Sequence, residues 1–129
     1  MKRLIRRSLA LGAAAAALGV APSAPPVDAH AVLVRSAPAG RTVLSHAPER
    51  VDLWFSEPLE PAFSTISVWS ASGARVDRRD GAVAPADPRQ LSVALDAIGP
   101  GTYTVRFRVL SVDGHVVESS FPFTVRPRP

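Results

Sequence analysis

Tyr103-Thr104-Val105-Arg106-Phe107-Arg108-Val109 alternates apolar and polar residues without a break. Period two over seven residues is the signature of a β-strand with one buried face. The same rhythm recurs on either side. Val51, Leu53 and Phe55 alternate with Asp52, Trp54 and Ser56; Ile66 and Val68 with Ser67 and Trp69; Leu91, Val93 and Leu95 with Ser92 and Ala94. Phe121, Phe123 and Val125 alternate with Pro122 and Thr124, and Pro122 predicts that this last strand is an edge or is locally irregular. Turn-forming clusters separate the runs: Pro38-Ala39-Gly40, Ala47-Pro48, Glu57-Pro58, Ser72-Gly73, Gly81, Pro85 to Pro88 and Gly99-Pro100-Gly101. Short strands at this spacing, with no sustained helical period, predict an all-β, immunoglobulin-like Greek-key sandwich. There is no internal repeat and no linker long enough to divide the domain. Arg126 to Pro129 reads as a short frayed tail.

The first 29 residues have a different character. Lys2, Arg3, Arg6 and Arg7 form a basic start, and Leu9 to Ala21 is apolar and uncharged. That run is too short to span a bilayer comfortably. Ser23 to Pro26 breaks it, and Val27-Asp28-Ala29 presents the small-residue pattern of a secretory cleavage site. We therefore expect residues 1–29 to be a cleaved signal peptide and residues 30–129 to form the exported domain. The alternative is an uncleaved membrane anchor. Arg6-Arg7-Ser8-Leu9 also admits a twin-arginine reading, so the export route stays open between the general and twin-arginine systems. Either route places the domain in a periplasm or another extracytoplasmic space.

Charge follows the same division. The whole chain carries 15 Lys and Arg against 11 Asp and Glu; residues 30–129 hold 11 arginines and 10 acids. With no basic patch interleaved with aromatics, nucleic-acid binding is not expected. The chain has no cysteine, which excludes a disulfide framework, a thiolate metal site and a cysteine nucleophile. Its one methionine is Met1, so the exported part has no thioether ligand. No serine sits in a nucleophile-elbow motif.

Two segments carry candidate chemistry. Cleavage after Ala29 would make His30 the first residue, and an N-terminal histidine offers an α-amine and a ring nitrogen to one metal ion. The second segment is Ser111-Val112-Asp113-Gly114-His115. Residues two apart in an extended chain project to one face, and Gly114 allows the backbone to bend between Asp113 and His115. Two imidazoles, an amine and a carboxylate would favour Cu(II). The N-terminus would have to lie at the same end of the sandwich. Taken alone, Asp-Gly-His is an ordinary turn. His46, in Ser45-His46-Ala47-Pro48, reads as an exposed loop residue.

The chain also resembles the CopC family of periplasmic copper-binding, copper-resistance proteins. The matching stretches are His30-Ala-Val-Leu-Val-Arg-Ser-Ala-Pro-Ala-Gly40, Leu53-Trp-Phe-Ser-Glu-Pro58, Gly101-Thr-Tyr-Thr-Val-Arg-Phe-Arg-Val109 and Ser111-Val-Asp-Gly-His115. They keep the family's order across the exported domain. The resemblance implies a cupredoxin-like sandwich or barrel and a Cu(II) site formed by His30, Asp113 and His115. Glu57 matches the glutamate of the family's Phe-Ser-Glu motif. It is read either as an acceptor that orients a ligand or as a plain turn carboxylate before Pro58. Some members carry a methionine-rich loop for Cu(I); Ser70 to Gln90 here has no methionine, so one Cu(II) per chain is expected.

The expected role is binding, with the copper ion and a separate membrane copper transporter as partners, and a monomeric chain. Two rival readings come from other classes. One is a copper oxidative enzyme of the histidine-brace type, which needs an open copper position for oxygen. The other is a metal-free immunoglobulin-like interaction module.

Overall fold

The computed structural model describes residues 31–128, together with Gly19. Eight strands form two four-stranded sheets. They are β1 (Leu33–Ala37), β2 (Val43–Leu44), β3 (Arg50–Phe55), β4 (Thr65–Ser70), β5 (Ala82–Ala84), β6 (Asp87–Ala94), β7 (Gly101–Leu110) and β8 (Val116–Val125). One sheet runs β1-β3-β6-β5 and the other β2-β8-β7-β4. The first four strands alternate between the sheets, giving a Greek-key β-sandwich. A single 3₁₀ turn, Pro61–Phe63, is the only helical element among the described residues.

The alternating runs bury the residues their period assigns. Val51, Leu53 and Phe55 of β3, Leu91 and Val93 of β6, and Val105, Phe107 and Val109 of β7 all belong to one core. Phe55 of the first sheet meets Phe107 of the second edge to face, with ring centroids 5.4 Å apart. Complete burial of such side chains contributes about 1.5–3 kcal/mol each. The described core lies wholly between Ala31 and Val125, so residues 31–125 contain its packing.

Three departures from period reading have local causes. Strand β1 lacks clean alternation because its register shifts between Leu33 and Arg35. The turn predicted over Pro85 to Pro88 narrows to Pro85-Ala86, and Pro88 lies inside β6, where its carbonyl accepts from the Leu59 amide at 2.8 Å. Strand β8 is an edge only over its first part. From Thr124 onward β2 pairs with it in parallel. Pro122 sits just before that pairing begins, and its carbonyl accepts from Arg41 N at 2.7 Å. In a strand, a residue's N–H and C=O point to the same side. The missing proline N–H therefore faces the side where β2 has not yet started.

Strands β7 and β8 pair from Gly101↔Val125 to Leu110↔Val116. Ten residues of strand extend about 30 Å. The hairpin thus runs the length of the sandwich and presents residues 111–115 at one end.

Candidate metal centre

The tip of the β7–β8 hairpin is closed by two backbone bonds. The Ser111 amide donates to the His115 carbonyl at 3.0 Å, and the Gly114 amide donates to the Ser111 carbonyl at 2.9 Å. Gly114 has φ +93°, a conformation that costs an L side chain energy and a glycine almost nothing. A three-residue turn followed by a left-handed glycine is a common hairpin closure. Here the segment differs from the extended geometry expected of it. Asp113 and His115 come together because the chain turns, not because they share a strand face.

Their side chains meet. His115 Nδ1 lies 3.2 Å from Asp113 Oδ2, and the His115 amide donates to Asp113 Oδ1 at 3.2 Å. Ser111 is completely buried, and its hydroxyl donates to Asp113 Oδ1. The Ser111 hydroxyl holds the Asp113 carboxyl below the usual carboxylate range; partial desolvation opposes this, and the His115 ring and amide add to the lowering. The carboxylate is thus kept ionised and aimed by a buried hydroxyl. The sequence reading missed this role of Ser111, although a serine two residues before the aspartate was visible there.

The Ser56–Glu60 segment braces the tip. Leu59 forms a bridge with Ser111, Val112 N donates to Pro58 O at 3.1 Å, and Glu60 N donates to Leu110 O at 2.8 Å. Glu57 is half-buried within this brace. The beginning of the described chain reaches the same end. Ser56 N donates to Val32 O at 2.8 Å, and Val32 N donates to Ser56 Oγ at 2.9 Å. Ala31 is completely buried, and a groove lined by Ala31 and Val32 is shared with Val116 and Val117, just past the hairpin tip.

Asp113 and His115 are therefore brought together. Among the described residues no group of three or more His, Cys, Asp or Glu side chains is placed to hold a metal, so Glu57 does not complete a site with this pair. His30 lies outside the described residues. His46 is exposed, with Nδ1 3.3 Å from Ser45 Oγ. It shares a cleft with Gly99, Pro100 and Val125, at the opposite end from the hairpin tip.

A two-sheet sandwich with an aspartate–histidine pair at the tip of its longest hairpin agrees with what comparison shows: the model of the CopC domain matches residues 33–126, and the chain belongs to that family. It is 36% identical over 103 residues to Protein YobA of Escherichia coli K12, covering 79% of this chain and 83% of that protein. It is 33% identical over 98 residues to the copper transport protein CutJ of Bacillus subtilis, covering 75% of this chain but only 18% of CutJ. The structure of CopC from Methylosinus trichosporium OB3b is similar at a TM-score of 0.72 with 36% identity, over 78% of this chain and 97% of the other. That of PcoC, described as a methionine-rich copper resistance protein of Escherichia coli, gives 0.64 with 32% identity, over 76% and 100%.

Proposed function

We propose that the exported chain begins at His30 and binds one Cu(II) through the His30 α-amine and ring, His115 and Asp113. Its role would be to buffer the ion outside the cytoplasmic membrane or hand it to a separate membrane transporter. The observation that carries this reading is the Asp113–His115 pair. Two adjacent ligands, each about 2 Å from one ion, stand about 3 Å apart; the ring nitrogen and carboxylate oxygen stand at 3.2 Å. Nitrogen and oxygen donors of this kind suit Cu(II). The burial of Ala31 and the tethering of Val32 at the hairpin end support a contribution from the residue before them. Copper names attach to CutJ and PcoC, and CutJ's much greater length supports a transporter as the partner. PcoC is called methionine-rich, whereas this chain has Met1 alone, which supports a site for Cu(II) without one for Cu(I). Glu57, half-buried in the segment behind the tip, would serve as an acceptor that orients a ligand.

The test is a Cu(II) titration of residues 30–129 bearing a native His30 amine, followed by electron paramagnetic resonance. One equivalent with a tetragonal, nitrogen-rich signal is expected. His30→Ala and His115→Ala should each lose most of the affinity, and one residue added before His30 should weaken it as well. Binding that equals a control with a blocked N-terminus would discard the site. Copper-dependent oxidation of chitin or cellulose would move the protein to the enzymatic reading.

A further inference from the structure

The outer face of each sheet carries one tryptophan, and the two are finished differently. On the β1-β3-β6-β5 face, the Arg35 guanidinium covers the Trp54 ring at 3.8 Å from its centroid. The Asp52 carboxylate beside it accepts from Arg50 at 3.0 Å, from Gln90 at 3.1 Å and from Ser92. On this face Arg50 is thus paired with a carboxylate that also gathers Gln90 and Ser92.

On the β2-β8-β7-β4 face neither β7 arginine has such a pair among the described residues. Its cross-strand rows are Ser67–Arg106–Ser120 and Thr65–Arg108–Glu118, with Trp69 beside Thr104 in the next row. The Trp69 indole N–H is fixed to Ser67 Oγ at 2.8 Å. Arg106 and Arg75 stand over the ring at 5.4 and 6.0 Å from its centroid, near the outer limit of cation–π attraction and farther off than the 3.8 Å of Arg35 over Trp54. Arg75 is held by Asp77. Arg106 and Arg108 are exposed, and neither makes an ion pair among the described residues. A shallow concavity of about 530 Å³ lies over these rows.

We propose that this face binds a sugar that carries a carboxylate or phosphate. The half-exposed Trp69 ring offers an apolar plane for a pyranose. The Arg106 fork suits a carboxylate or phosphate in a way a point charge does not. Ser67 and Ser120, directly opposite Arg106 on the neighbouring strands, offer hydroxyls to the ring substituents. Arg106 and Arg108 are two residues apart on β7, a spacing of about 7 Å that a single sugar unit spans. Glu118 lies opposite Arg108 and repels an anion there, so the acid group belongs at Arg106. This site does not depend on copper.

The test is ¹H–¹⁵N NMR of the protein titrated separately with tetragalacturonate, glucose 6-phosphate, cellotetraose and sodium phosphate. The acidic sugars should shift the Trp69 indole and the amides of residues 65–69 and 104–108, and added salt should weaken them. The tighter of the two identifies the acid group. Trp69→Ala and Arg106→Ser should each weaken binding about tenfold, whereas Arg35→Ser on the other face should not. Arg106→Lys, which keeps the charge and removes the fork, should weaken binding with the remaining amide shifts unmoved, separating recognition from folding. Equal shifts with cellotetraose, shifts with sodium phosphate as large as with the sugars (an adventitious ion only), or no shifts at all would overturn the proposal.

Discussion

Two aspartates in this domain sit two residues from a cationic or protonatable partner, yet they serve different ends. Asp77 is 4% exposed and accepts from Arg75 Nε at 2.8 Å, from Val68 N at 2.9 Å and from Arg79 N at 2.8 Å. Asp113 stands at a hairpin tip with its side chain 30% exposed, facing a histidine. Both carboxyls are held below the ordinary range. Burial opposes ionisation of Asp77 but is outweighed by Arg75 and the two amides, whereas Asp113 owes its lowering first to the Ser111 hydroxyl. Both carboxylate oxygens of Asp77 are committed to holding the 71–81 segment on β4. Asp113 shares its partner with solvent and can exchange a hydrogen bond for a metal bond. Spacing in sequence is alike; burial separates a structural anchor from a carboxylate that solvent, or the proposed metal, can reach.

The largest effect that tests this contrast is on stability. Asp77→Ala leaves two amides and a guanidinium without their acceptor and should cost about 3 kcal/mol, read as a fall in Tm of more than about 10 °C. Copper binding at the hairpin tip should survive once that variant is cooled into its folded range. Next comes Gly114→Ala, which places a Cβ at φ +93° and should cost about 1 kcal/mol by chemical denaturation while displacing Asp113 relative to His115. A Gly114→Ala protein with wild-type stability and wild-type Cu(II) binding would break the link between the turn and the pair.

Acid titration sharpens the same comparison. Because the folded Asp77 pKa lies below its unfolded value, its contribution to stability is full above an ordinary aspartate pKa of about 3.9 and is lost as pH falls through the folded value. Asp77→Asn should therefore flatten the acid limb of a stability–pH curve. The smallest stability effect is that of Asp113→Asn, which should leave Tm nearly unchanged and flatten the acid limb less than Asp77→Asn, because the exposed Asp113 is screened by solvent, and yet alter the Cu(II) spectrum. In the wild type, Cu(II) affinity should fall on acidification before the Asp113 carboxylate protonates. Imidazole and amine donors take up protons at higher pH than carboxylates, and a competition assay across pH measures the order.

Much of the fold was legible because β3, β4, β6, β7 and the end of β8 obey period two against a single core. The strands that escaped notice are the ones whose pairing, not their pattern, creates them. Strand β2 is two residues long, β5 is three, and β1 contains a register shift. The nearness of Asp113 and His115 was legible from their spacing, though the turn that produces it is tighter than an extended segment. What could not be read were the contacts between distant parts of the chain. Val32 lies 24 residues from Ser56 in sequence, and no local pattern announces that they exchange two hydrogen bonds. Nor does alternation reveal that Ser111, a polar residue continuing an apolar strand, is sealed inside and aimed at Asp113.

The tie between Val32 and Ser56 has a kinetic meaning. Strand β1 lies at the edge of its sheet and contacts only β3 there, so its first residues can peel away by exposing Ala31 and Leu33 while the rest of the core stays packed. Such local fraying costs far less than global unfolding. In the proposed site, one half of the ligand set rides on this edge and the other on a rigid hairpin. The residence time of copper would then follow how often the edge opens. A partner that grips β1 could draw the ion out without competing for it bond by bond.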